Sequence, residues 1–246
     1  MRKVLIVGGA NGIGLSIAKA LTARADIETV YIVDKSPLAE EYQEDKIESF
    51  LFDLTSSDYS VFDQFSDIDG LMISAGFGRL ALFKDIPEDM IANYFQVNAI
   101  AVIRVIRHFY DRLLSKEDFH CGVMGSIAGF MSSPFLSVYG ATKAALKLFI
   151  ESVNVELAKA GTTNRILNVS PGSIKGTCFN QGVTDLSLIL PLAQEIVGHL
   201  EQKDDLFIPQ YEEVYKTVLE RYHHDFRAEG RHSYEYKEKS GRVTNE

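Results

Sequence analysis

The chain has 246 residues, 46% of them hydrophobic and 24% charged, which suits one α/β domain with a sizeable core. Its formal net charge of −9 argues against nucleic acid or an anionic membrane surface as a partner. Cys121 and Cys178 lack metal-ligand or CxxC spacing, and Met1-Arg2-Lys3 leads into an apolar run too short for a signal-peptide core. With no segment long and apolar enough to span a bilayer, the expected location is the cytoplasm, with reduced thiols.

Val4 to Val7 is a continuous apolar run, as expected of a strand buried on both faces. Gly8-Gly9-Ala10-Asn11-Gly12-Ile13-Gly14 follows, then a helical pattern through Ile17, Ala18 and Leu21. Strand, glycine loop and helix come in the order a dinucleotide site requires. The glycines let the backbone approach a pyrophosphate, and the helix N-terminus faces its charge. The expected contacts are Gly8, Asn11, Gly12, Ile13 and Gly14.

Val30 to Val33 forms a second strand ending in Asp34, twenty residues after Gly14. An acidic residue at that distance can bond the adenosine ribose hydroxyls and repel a 2′-phosphate, which favours NAD over NADP. The plainer alternative is a turn aspartate before Ser36-Pro37, and Lys35 lies next to it. Ser49 to Phe52 reads as a third strand, closing on Asp53-Leu54, where Asp53 either reaches the adenine or caps the next helix. Gly70 to Ile73 is a fourth strand, leading into the small residues Ser74-Ala75-Gly76. A long helix is expected from about Pro87 to Leu114, carrying Asn98.

The fifth strand, Gly122 to Ser126, precedes a helix from Val138 to Ala160. Tyr139 and Lys143 are four apart, so they share one face about one turn apart. A phenol has an ordinary pKa of about 10, and a neighbouring ammonium is expected to lower it toward the working range. Ser126, thirteen residues before Tyr139, can fold back and hydrogen-bond a carbonyl or alcohol oxygen. Tyr-x-x-x-Lys alone is weak, since a chance match in a chain of this length is roughly an even bet.

Arg165 to Val169 is a sixth strand, running into Ser170-Pro171-Gly172-Ser173-Ile174. From Gly176 to Leu190 the pattern is loop-like with scattered apolar residues, either a lid or a packed connection. Pro191 is expected to open a short helix, and Leu206 to Pro209 the last strand. The tail from Tyr211 is helical, then polar and aromatic, and its histidines His223, His224 and His232 lack ligand spacing, so no metal site is expected. The whole reads as a doubly wound parallel sheet of about seven strands. It forms one domain over 1–246, with a substrate loop at about 177–204 and a C-terminal extension at 210–246.

The glycine loop, Asp34, Asp53-Leu54, Ser74-Ala75-Gly76, Asn98, Ser126, Tyr139, Lys143 and Pro171-Gly172 occur in an order that resembles the short-chain dehydrogenase/reductase family over about residues 1–177. The resemblance implies a Rossmann-like fold and an NAD-dependent oxidoreductase interconverting a small-molecule carbonyl and a secondary alcohol. It implies catalysis by Ser126, Tyr139 and Lys143, with Asn98 supporting a water and the lysine in a proton path. It also implies cofactor contacts at Asp53, Leu54, Ala75, Gly76, Tyr139, Lys143, Pro171, Gly172 and Ile174, and a homodimer or homotetramer. Phe77, Phe130, Leu136 and the apolar residues of 179–189 are expected either to give the pocket an apolar lining or simply to pack in the core. Three departures stand out: Val7 for the family's Thr, Ile73-Ser74 for a pair of Asn, and Thr177 one residue late. They leave open a silent NAD-binding sensor or scaffold. An epimerase or dehydratase that recycles bound NAD is the second alternative.

Overall fold

Alternation of period two decides how the first strand, β1 (Lys3–Val7), is covered. Leu5 and Val7 join the core on one face of the sheet and Val4 and Ile6 the core on the other, all fully buried. The same double burial holds along β4 (Gly70–Ile73) and β6 (Ile166–Val169). The structure, a computed structural model, describes residues 1–179, 182–240 and 243. With β2 (Thr29–Asp34), β3 (Ile47–Leu51), β5 (His120–Met124) and β7 (Leu206–Phe207), the strands form one parallel sheet in the order β3-β2-β1-β4-β5-β6-β7. Val7 pairs with Val33 and Ile73, Ile73 with Val123, and Val123 with Asn168. The carboxyl ends of five strands are therefore brought to one edge. The order reverses between β1 and β4, where doubly wound sheets open a crevice for ligands.

Helix α1 (Gly12–Thr22) packs on one face through Leu15, Ile17, Ala18 and Leu21. The other face is covered by α3 (Ala101–His108), α4 (Tyr110–Leu114) and α5 (Ser137–Ala160), reached through α2 (Glu88–Phe95). Helix α6 (Leu186–Gln202) returns beside α1 and buries Ala193, Ile196, Val197 and Leu200. Gly161 ends α5 in the left-handed conformation, φ +80°. Among the described residues no helix is long and apolar enough to cross a membrane.

Three departures from the sequence reading have local causes. The long helix expected over 87–114 is interrupted by a π-helical turn at Gln96–Ile100 and breaks again at Phe109, where ψ is 13°. Helix α6 starts five residues before Pro191, because Asp185 caps it by accepting from Ser187 N at 3.0 Å and Ser187 Oγ at 2.6 Å. Pro191 then sits inside the helix, where its lack of an N–H leaves one turn without its bond. The tail is a helical hairpin, a π turn at Tyr211–Tyr215, α7 (Lys216–His224) and α8 (Phe226–Lys239), with Asp225 capping α8. Arg221 and the buried Glu229 pair across the hairpin at 2.6 Å.

Candidate active site

The glycine loop is held by close backbone contact. Gly8 N donates to Val33 O at 2.8 Å, and Gly8 itself has φ +88°, a region that only glycine adopts without strain. A Cβ on Gly8 would lie 2.8 Å from the Ala75 methyl, and one on Gly14 would overlap the Gly8 carbonyl and the Ser74 hydroxyl. Ser74 Oγ donates to Gly8 O at 2.7 Å, so the residue that departs from the family's Asn still supplies polar support to the loop. The Asp34 carboxylate accepts from Ala10 N and Ser36 N, both at 3.0 Å, which anchors it beside the loop at the end of β2. Asn11 is exposed, and Ile13 packs against the α1–α6 core.

Asp53 folds onto its own turn. Its Oδ1 accepts from Thr55 N and Thr55 Oγ1 at 2.8 Å, and these bonds hold its carboxyl below the usual range. Its neighbour Leu54 is buried in the core, and its carbonyl accepts from Tyr59 OH at 2.8 Å.

At the other end of the cleft, Lys143, Asn98 and Gly76 converge. A Cβ on Gly76 would lie 3.2 Å from Asn98 Oδ1 and 3.5 Å from Lys143 Nζ. Asn98, inside the π turn, accepts from Phe77 N at 2.9 Å and donates to Phe77 O at 2.8 Å. Its side chain thus clamps the strand-to-helix connection after β4, a reason for the local widening of the helix. Ser126 lies just beyond β5 and accepts from Ala128 N at 3.2 Å. Ile127 N donates to Pro171 O at 3.1 Å, which ties the ends of β5 and β6 together beside Gly172. Ile174 accepts from the Thr177 hydroxyl at 3.0 Å, and Thr177 lies beside Gly12.

Tyr139 and Lys143 do share a face of α5, with the ammonium nitrogen 5.6 Å from the phenol ring centre. The electrostatics differ from the expectation. Burial pushes the Tyr139 phenol up to about 12, against a smaller opposing pull from its hydrogen bond with Ser126. Burial also pushes the Lys143 ammonium down to about 8. The ammonium donates to Met124 O at 2.7 Å, so in the protein alone it is directed at the end of β5. Desolvation outweighs the charge effect here because the Lys143 side chain is buried and the Tyr139 ring is partly covered.

Phe179 packs edge-on against Tyr139, ring centres 5.2 Å apart, and both rings crowd Gly78. Phe77 stacks on Tyr94 at 4.7 Å. Phe130 and Leu136, expected in the pocket, instead line a surface groove of about 540 Å³ with Ala141, Ala144 and Tyr222. That groove lies on the face of α5 away from Tyr139, because residues 141 and 144 are rotated off the Tyr–Lys stripe. Val183 and Leu188 are exposed and Ile189 is in the core.

The sequence reading missed Thr184, whose hydroxyl accepts from Gly12 N at 3.0 Å, and Tyr94, whose hydroxyl accepts from Arg79 N at 3.3 Å. Neither carries a local signal, since both contacts are made across the fold. The glycine cradle at the head of α1, with its Gly12 N–H held here by the Thr184 hydroxyl, fits the phosphates of a dinucleotide, and Asp34 fits a ribose. Among the described residues, no three His, Cys, Asp or Glu side chains gather to hold a metal ion.

Known proteins share this architecture. A short-chain dehydrogenase from Streptomyces avermitilis superposes with a TM-score of 0.75 at 20% identity, over 98% of this chain and 100% of that one. One from Sphingobium yanoikuyae in complex with NADPH gives 0.71 at 20% identity, over 92% and 96%. The vibriobactin-specific 2,3-dihydro-2,3-dihydroxybenzoate dehydrogenase of Vibrio cholerae is 27% identical over 185 residues, 70% of each chain. The family described as short chain dehydrogenase matches residues 2–186. That match runs from β1 to the start of α6, and with it the chain belongs to the short-chain dehydrogenase family of oxidoreductases.

Proposed function

We propose that the protein interconverts a carbonyl and a secondary alcohol with NAD(H), using Tyr139 as the general acid or base. The observation that carries this reading is the meeting of the Tyr139 phenol, the Ser126 hydroxyl and the buried Lys143 ammonium beside Gly76. A bound nicotinamide supplies or takes the hydride at the substrate carbon. Tyr139 gives the proton to the carbonyl oxygen in reduction and takes it from the alcohol in oxidation. Ser126 hydrogen-bonds that same oxygen and orients it. Lys143 holds positive charge near the phenol, which favours the phenolate once the cleft is polar. Asn98 is a positioning residue: by clamping Phe77 it holds Gly76 against the lysine.

Asp34 supports NAD over NADP, because a carboxylate anchored by Ala10 and Ser36 opposes a 2′-phosphate. The Sphingobium protein, by contrast, was solved with NADPH. The exposed Leu148 and Val155 on α5, with Ile100 in the π turn before α3, support pairing with a second copy, which light scattering would measure. The free cysteines fit a reducing cytoplasm.

The test is nicotinamide absorbance against a panel of alcohols and ketones, with NAD and NADP in parallel, for wild type and Tyr139→Phe. Turnover with NAD that falls about 10²- to 10⁴-fold in the variant, with NADH binding retained, is the expected result. An active Tyr139→Phe protein would sink the role given to that residue. Silence across the panel with tight NAD binding would favour a sensor.

A further inference from the structure

The C-terminal hairpin folds back over the segment joining Ser126 to Tyr139. Lys237 Nζ donates to Ser133 Oγ at 2.7 Å and to Pro134 O at 2.8 Å, and Tyr234 packs on Phe135 with ring centres 4.5 Å apart. Phe135 in turn accepts, through its carbonyl, from Ala81 N at 2.9 Å, so hairpin, Ser133–Phe135 segment and post-β4 loop form one wall. At the base of this hairpin, Tyr215 reaches the carboxyl end of β6. Its hydroxyl takes the space a Cβ on Gly172 would occupy, and its Cζ would be 2.7 Å from that atom. Gly172 follows Pro171, whose carbonyl is bonded to Ile127 N, next to Ser126. The Tyr215 hydroxyl therefore stands against Gly172, at the strand end that is tied to the segment following Ser126.

Two features separate this from simple packing. The ring is half-buried, yet among the described residues its hydroxyl has no hydrogen-bond partner, and a phenylalanine would fill the same space. The rim of the cleft also carries the rings of Phe77 and Phe179. We infer that Tyr215 is a substrate-contacting, specificity-determining residue: its hydroxyl bonds a second oxygen of the substrate, away from the oxygen that reacts at Tyr139. The substrate class is thus an oxygenated ketone or polyol, not a plain ketone. This rests on the dehydrogenase reading above for the reacting oxygen, but not for the Tyr215 contact itself.

The experiment compares wild type and Tyr215→Phe, at full length and loaded with NADH, on cyclohexanone, 2-hydroxycyclohexanone and 4-hydroxycyclohexanone. The expected result is a loss of roughly tenfold in kcat/KM on at least one hydroxyketone, and less than about threefold on cyclohexanone. NADH affinity and Tm stay unchanged, since the ring and its packing remain. Equal losses on all three ketones, or no loss, overturn the inference and leave the dehydrogenase reading intact. If wild type reduces none of them, saturation-transfer NMR reads their binding to the NADH-loaded protein. Weaker binding of a hydroxyketone to Tyr215→Phe then upholds the Tyr215 contact while the dehydrogenase reading fails. No binding to wild type, or equal binding to both proteins, overturns it.

Discussion

At the β1–β2 end of the cleft the glycines are packed backbone on backbone: Gly8 on Val33, Gly8 against Ala75, and Gly14 against the Gly8 carbonyl. At the β5–α5 end they are side chain on backbone, with Asn98 on Phe77, Lys143 on Met124 and Ser126 on Ala128. At Gly8 and Gly14 the first end has no room for an added atom. The second tolerates changes of side chain, but each buried polar group there must be satisfied. The difference teaches that the first end resists an added atom and the second resists the loss of a polar partner.

The largest expected effect breaks the first end. Gly14→Ala places a methyl on the Gly8 carbonyl, which the loop cannot vacate without moving β1, and we expect a loss of about 3 kcal/mol or more. Thermal unfolding and NADH fluorescence check it; a normal Tm with normal binding would show that the loop is not tightly packed. Next comes Asn98→Leu, which leaves Phe77 N–H and C=O without partners and should cost about 2–4 kcal/mol, with Lys143 and Tyr139 still in place. Urea unfolding at constant m-value reads it. An unchanged midpoint would mean the π turn is held by something else.

A third prediction uses pH. The Lys143 ammonium, about 8 in the folded protein, sits below its ordinary value of 10.5. The unfolded chain therefore binds the extra proton between those values, so stability rises with pH across that window. Relative to Lys143→Met, wild type should gain about 2–5 °C in Tm between pH 8 and pH 10. A flat difference would place the ammonium in a wetter setting than the structure does. Tyr139 works the other way, its raised phenol costing stability between 10 and about 12, but it is common to both proteins and cancels.

The smallest effect sharpens the comparison at its polar edge. Asp34→Ala removes the acceptor from Ala10 N and Ser36 N and should shift the NAD-to-NADP ratio of kcat/KM by roughly tenfold toward NADP. A ratio that does not move would separate Asp34 from cofactor choice.

Much of this was legible beforehand. The apolar runs marked the central strands β1, β4 and β6 to within a residue or two, because a strand buried on both faces must be apolar throughout. The glycines announced the tight loop, and the four-residue spacing placed Tyr139 over Lys143. These are local properties: hydrophobic period, backbone permission and helical pitch are all written within a few residues. What the tertiary structure alone decided is everything made by contact at a distance. Asp185 moved the start of α6, because a side-chain cap outweighs the preference of Pro191 for a first turn. Desolvation set Tyr139 and Lys143 apart from their expected electrostatics, since burial depends on what the rest of the chain lays over them. Phe130 and Leu136 went to the outer face of α5, and Tyr215, 43 positions beyond Gly172, came to rest on it. No periodicity connects those two residues; only the folding back of the hairpin onto the sheet edge does.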